Sequence, residues 1–241
     1  MNSVFKPLTG IVLTAIALHA DAAPARQVNS ALGLDPGAAH QMSTRSARRE
    51  PNPLIGGAEI FENLTESAAA LTSGAFDKSM SDFKTLYPKI SQRLSPDRKS
   101  RLDALVAGVR SAWQKGDRAT TALQSIEAYR LLQEAIDHRG QPVPVEVALL
   151  DYAGFKLDAL LLSTHPDWAQ LASTARHAAT WWTAIGPKLT DPALRAAMDH
   201  TIDGIRNAAA RKDRALLSFA AKMDLILVDG LESFFTSHPA N

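Results

Sequence analysis

Four charged residues lie where helical periodicity calls for apolar ones, and any chemistry in this chain starts from them. Asp224 falls among Leu217, Ala220, Val228, Leu231 and Phe235, apart from the polar stripe Ser218, Lys222, Asp229, Glu232 and Ser233 of the same segment. Asp151 and Asp158 share one helical direction with Val147, Phe155 and Leu162 nearby. Lys156 points almost oppositely, beside Leu149, Tyr152 and Leu160. A carboxylate in apolar surroundings costs on the order of several kcal/mol unless it is paired, hydrogen-bonded or metal-bound. Three readings follow. Asp151 and Asp158 mark a thin solvent-facing seam while Lys156 snorkels; or Lys156 and Asp224 form a buried bridge between helices; or Asp224, Asp151 and Asp158 converge on a metal ion inside a bundle. In that last case oxygen-only ligands favour a hard cation or iron.

Other chemistry finds little support. The chain has no His-Glu-x-x-His, no Gly-x-Ser-x-Gly, no phosphate-cradling glycine loop and no Glu-x-x-His pair of the di-iron type. Its 7 histidines are dispersed: His138 and His165 fall at helix ends, His177 and His200 project away from the apolar faces of their helices, and no two stand at ligand spacing. There is no cysteine, which removes thiol nucleophiles, thiolate metal sites and disulfides. Trp113, Trp168 and Trp182 fall on core stripes, and Trp181 falls beside one. Glu127 and Glu134 point to the polar side of their helix and are expected in solvent.

The elements that would position these residues are helices. Apolar stripes recur at helical spacing: Ile60, Phe61, Leu64, Ala68, Leu71; then Phe76, Met80, Phe83, Leu86, Tyr87; then Leu102, Leu105, Val106, Val109, Trp113; then Ala122, Ile126, Tyr129, Leu132, Ile136. After Gln141-Pro142-Val143-Pro144 comes Val145–Leu162, apolar in nearly every direction and so expected to be packed on most sides. Two more stripes follow, Trp168 to Trp182 and Leu194 to Ala209, then a last helix to about Phe235. Gly74 is expected to end the first helix, Pro88 to close the second, and His138 to end the fourth. Ser95-Pro96-Asp97, Asp117, Asp167, Thr190-Asp191-Pro192 and Asp213 read as helix starts. No segment alternates as a strand. The fold class is therefore all-α: an antiparallel bundle of about eight helices over residues 58–241.

The halves 58–138 and 144–236 resemble each other. Pro88-Lys89-Ile90-Ser91 matches Pro187-Lys188-Leu189-Thr190, and Phe61, Leu64 and Leu71 match Tyr152, Phe155 and Leu162. Leu102, Val106, Val109, Asp117-Arg118-Ala119 and Leu131 match Met198, Ile202, Ile205, Asp213-Arg214-Ala215 and Leu227 at a constant offset. Each half would hold four helices in the same order.

The chain has 241 residues, 26 of them basic and 25 acidic. That balance excludes a nucleic-acid binder working by bulk charge. Residues 1–22 read as a signal peptide, with Lys6 ahead of an apolar run to Leu18 and small residues at Ala20-Asp21-Ala22. The run is too short to span a bilayer, and no other membrane-spanning segment is expected in the mature chain. Residues 23–57, with Pro24, Pro36, Pro51, Pro53 and the basic cluster Arg45, Arg48 and Arg49, read as a disordered linker. The expectation is an exported, periplasmic or secreted, non-enzymatic bundle that binds a protein partner or small ligand in the cell envelope. The alternative is a metal-binding bundle using its interior carboxylates, with that metal as its cofactor.

Overall fold

The computed structural model describes residues 52–70 and 72–238. The expected signal peptide and nearly all of the expected linker lie outside them, as does Leu71. Eight α-helices follow in order: α1 (Pro53–Ala70), α2 (Ser73–Ser91), α3 (Pro96–Gln114), α4 (Arg118–Gln133), α5 (Val145–Leu161), α6 (Trp168–Ile185), α7 (Pro192–Arg211) and α8 (Arg214–Ser237). A 3₁₀ turn at Gly186–Lys188 follows α6, and no strand occurs among the described residues. None of these helices is long and apolar enough to cross a membrane.

Local chemistry sets most helix starts. Ser95, Asp117, Asp167, Asp191 and Asp213 each accept a hydrogen bond from a backbone N–H of the first turn, satisfying donors that have no partner within the helix. Four boundaries differ from expectation. The helix α1 begins at Pro53 rather than Ala58, because Asn52 Oδ1 accepts from Leu54 N (3.1 Å) ahead of the proline. Residues 53–57 therefore belong to the bundle and not to a linker. Gly74 lies inside α2 rather than ending α1. Pro88 is likewise interior to α2, which runs on to place Ile90, fully buried, in contact distance of Gly57 on α1. The fourth helix stops at Gln133, short of His138, and a turn carries Ile136 into the core.

The halves share an architecture. In the first, α1 packs on α2 and α4, and α3 packs on α4; in the second, α5 packs on α6 and α8, and α7 packs on α8, with α6 packing on α7 as well, a contact that α2 and α3 do not match. The turns into α4 and α8 are the same turn. Gly116 and Lys212 occupy equivalent left-handed positions (φ 69° and 56°). Asp117 N then bonds Ala112 O (3.0 Å), as Asp213 N bonds Ala208 O (2.9 Å). The next residue repeats the likeness: Arg118 donates to the carbonyls of Ala68 and Ala69 at the end of α1, and Arg214 to Leu161 O at the end of α5. Each arginine thereby ties the fourth helix of its half to the unpaired carbonyls of the first.

The halves meet where α5 packs on α4 and α1. With α6 and α8 on its other sides, α5 is enclosed by four helices, which accounts for its apolar girth. Its Val147, Leu150, Leu157 and Leu160 enter the core of the second half, while Tyr152 enters that of the first. Small residues close the seam, with Ala68, Ala122 and Ala159 packed together. The tryptophans brace the cores: Trp113 stacks on Phe76 (4.0 Å between ring centroids), and Trp182 Nε1 donates to Asp199 Oδ1 (2.7 Å).

Candidate functional site

A trough runs between α1 and α8, with α5 as its floor. At one end it is a cleft of about 370 Å³ lined by Thr65, Glu66 and Ala69 of α1, Ala122 of α4, Phe155, Asp158 and Ala159 of α5, and Lys222 and Leu225 of α8. One carboxylate per turn lines the α1 side, at Glu59, Glu62 and Glu66, because residues three and four apart share a helix face. The α8 side carries Asp229 and Glu232 one and two turns beyond Leu225. Asp151 rises from the floor two turns before Asp158, about 10 Å along the helix.

These acids act on one another. Burial, then repulsion from Glu66, Glu232, Glu59 and Asp229, pushes the Glu62 carboxyl up to about 7. Burial and Asp229 raise Glu66, and burial, Asp229 and Glu59 raise Glu232. Asp151 is held well above the usual carboxylate range by burial first and then by Glu62, Glu232 and Asp224, while the Tyr129 hydroxyl works the other way. The cation that reaches the trough is Lys222, which partly offsets the effect of burial on Asp158. Among the described residues none of the trough acids, Asp158 included, takes part in an ion pair.

Where α8 packs on α5 lies Asp224. It is fully buried, neither carboxyl oxygen has a hydrogen-bond partner, and burial alone pushes its pKa up to about 8. Its carboxyl is turned onto Gly154 of α5. A Cβ there would come within 3.0 Å of Asp224 Oδ2 and 2.7 Å of Leu225 Cδ2, so only glycine lets α8 approach this closely.

The four residues singled out in the sequence thus divide. Asp151 and Asp224 are near enough to repel each other, whereas Asp158 sits at the cleft end with Lys222. No group of three or more His, Asp or Glu among the described residues is placed to hold a metal ion. The Lys156–Asp224 bridge does not form. Lys156 Nζ instead lies 2.7 Å from Glu127 Oε1 and 2.8 Å from the Tyr152 hydroxyl, which itself donates to Glu127 (2.8 Å). Nor does Lys156 simply snorkel, since its side chain is 18 % exposed and Glu127's is 26 %. Glu127, expected in solvent, faces the α4/α5 seam. Burial works to raise its pKa, but Lys156, Tyr152 and Arg130 together bring it below the ordinary value. Asp151 and Asp158 do not open to solvent as a seam either; Asp151 is buried and Asp158 half-buried.

Sequence reasoning missed Glu59, Glu62 and Glu66. Their spacing of three and four was readable as one acidic stripe, but a charged stripe on a helix is ordinarily just its solvated face. Chemically, the trough offers Glu62, pushed up to about 7, among further acids raised by burial and by one another, so an entering cation would displace protons and relieve repulsion. Compared with family profiles, curated proteins and solved structures, the chain matches none.

Proposed function

We propose that this chain is a non-catalytic binding protein of the cell envelope whose α1/α8 trough receives a cationic ligand. The observation that carries this reading is Glu62, driven to about 7 by burial and by four neighbouring carboxylates. A structural ion network would contain its own cations, as the Glu127–Lys156–Arg130 group does; the trough instead holds unbalanced negative charge beside an open cleft. The N-terminal pattern of residues 1–22 supports the envelope assignment. Protein recovered from an envelope fraction should begin at Ala23 on N-terminal sequencing.

Calorimetric titration with spermidine, a polyamine that carries charge without apolar side chains, tests the trough. Binding should be tighter at pH 8 than at pH 5.5, should release protons at pH 7, and should weaken at least tenfold in Glu62→Gln/Glu232→Gln. Absence of binding by spermidine and by a lysine-rich peptide at low salt would sink the reading. Calcium and manganese titrated alongside cover the metal-binding alternative, for which Asp151 and the unpartnered Asp224 would be the donors.

A further inference from the structure

We infer that the occupant of this trough is a basic amphipathic helix of a partner protein rather than a free small cation. The inference rests on the cationic-ligand reading above and adds a second surface to it. Of the four large hydrophobic residues exposed among the described residues, three fall on α8: Leu216 (38 % exposed), Phe219 (63 %) and Ile226 (63 %). They stand three and seven residues apart, with half-buried Met223 between Phe219 and Ile226, and so form one stripe.

The stripe is not left over from packing. The opposite side of α8 is fully used, with Leu217, Ala220, Val228 and Leu231 buried against the helices it packs on. At about 100° per residue, Ile226 lies roughly 40° from Lys222 and 60° from Asp229 around the helix. Ile226 is therefore the outer shoulder of the trough's α8 wall, and Phe219 continues it about 20° further round and two turns nearer the start of α8. A polyamine would use the carboxylates and leave Phe219 and Ile226 in water. A helix with lysines or arginines on one side and apolar residues beside them meets both surfaces at once.

Charge selects among other occupants. A second copy would bring its own acidic trough to this face, and an anionic bilayer would be repelled by it.

The test uses a designed peptide with leucine and lysine at helical spacing, a scrambled peptide of the same composition, and spermidine. Each is titrated against the parent protein, Phe219→Ser/Ile226→Ser and Glu62→Gln/Glu232→Gln, with folding of each variant checked by circular dichroism. The helical peptide should bind the parent at least tenfold more tightly than the scrambled one. The shoulder variant should lose that advantage while keeping spermidine affinity, and the acid variant should weaken all three. Equal binding of the two peptides, or an unchanged shoulder variant, overturns the inference and leaves the cationic-ligand reading standing. Failure of spermidine and of both peptides removes both. Sedimentation showing a dimer that Phe219→Ser/Ile226→Ser dissolves, or flotation on phosphatidylglycerol vesicles that the same change abolishes, would assign the stripe to another occupant and overturn the inference.

Discussion

Asp224→Asn exchanges a carboxyl for an amide of nearly equal volume at a position where neither oxygen has a partner. In the folded chain this carboxyl is pushed up to about 8 from an ordinary 3.8, so at pH 7 the folded protein holds a proton that the unfolded chain has released. At about 1.4 kcal/mol per pH unit, over the roughly three units from the ordinary value to pH 7, that uptake costs folding about 4 kcal/mol. The sign follows from the raised value. The contribution to stability is intact below pH 3.8 and is lost progressively as pH climbs through 8. Asparagine has no proton to take up. The variant should therefore exceed the parent in stability by about 4 kcal/mol at pH 7, a large share of what a domain of this size commands. The gap should shrink toward zero near pH 4. Urea unfolding followed by circular dichroism from pH 4 to 8 gives the difference curve. Asp151, which repels Asp224, titrates in both proteins, and Asp151→Asn alone and in combination separates its share. A gap that does not change with pH, or a variant less stable than the parent at pH 8, would refute the assignment of an unpartnered, protonated Asp224.

Other outcomes follow from the same structure. Glu62→Gln should raise the melting temperature at pH 8 but not at pH 4, since the carboxyl's contribution fades as pH rises from 4.5 through about 7; added salt should reduce the gain wherever repulsion across the exposed rim is its source. Lys212→Gly should stabilise by about 1 kcal/mol, because lysine there holds the left-handed conformation that Gly116 adopts freely in the first half; chemical denaturation measures it. Arg118→Ala and Arg214→Ala should each cost about 1–2 kcal/mol by freeing helix-end carbonyls, with closely similar values if the two ties are equivalent. Glu127→Gln should cost about 1–2 kcal/mol by leaving half-buried Lys156 without its counter-ion, and a double-mutant cycle with Lys156→Met isolates the pair.

What was legible in the sequence was whatever depends on one helix at a time. The caps at Ser95, Asp117 and Asp213 are contacts within three residues, so their chemistry is written locally. The burial of Asp224 was readable because its own helical neighbours are apolar. Its partner was not, because a helical wheel gives a direction but not the helix that fills it. Lys156 and Asp224 both point inward from helices that do pack, yet Lys156 turns toward α4 and meets Glu127. The trough was illegible for the same reason. Glu62 and Glu232 are far apart in sequence, each on an unremarkable polar stripe, and become neighbours only when the second half docks against the first. The likeness of the turns into α4 and α8, by contrast, shows in the sequence as Asp-Arg-Ala twice, since a repeated turn needs repeated residues.

The two walls of the trough belong to different halves of the chain, α1 to the first and α8 to the second. The mutual repulsion of Glu62 and Glu232 is therefore a load borne by the joint that α5 makes with α4 and α1. Any cationic occupant lifts that load, so occupancy and the cohesion of the halves are two faces of one equilibrium. At a ligand concentration a hundredfold above Kd the gain is about 2.7 kcal/mol, delivered to the seam between halves and not merely to the surface that is touched.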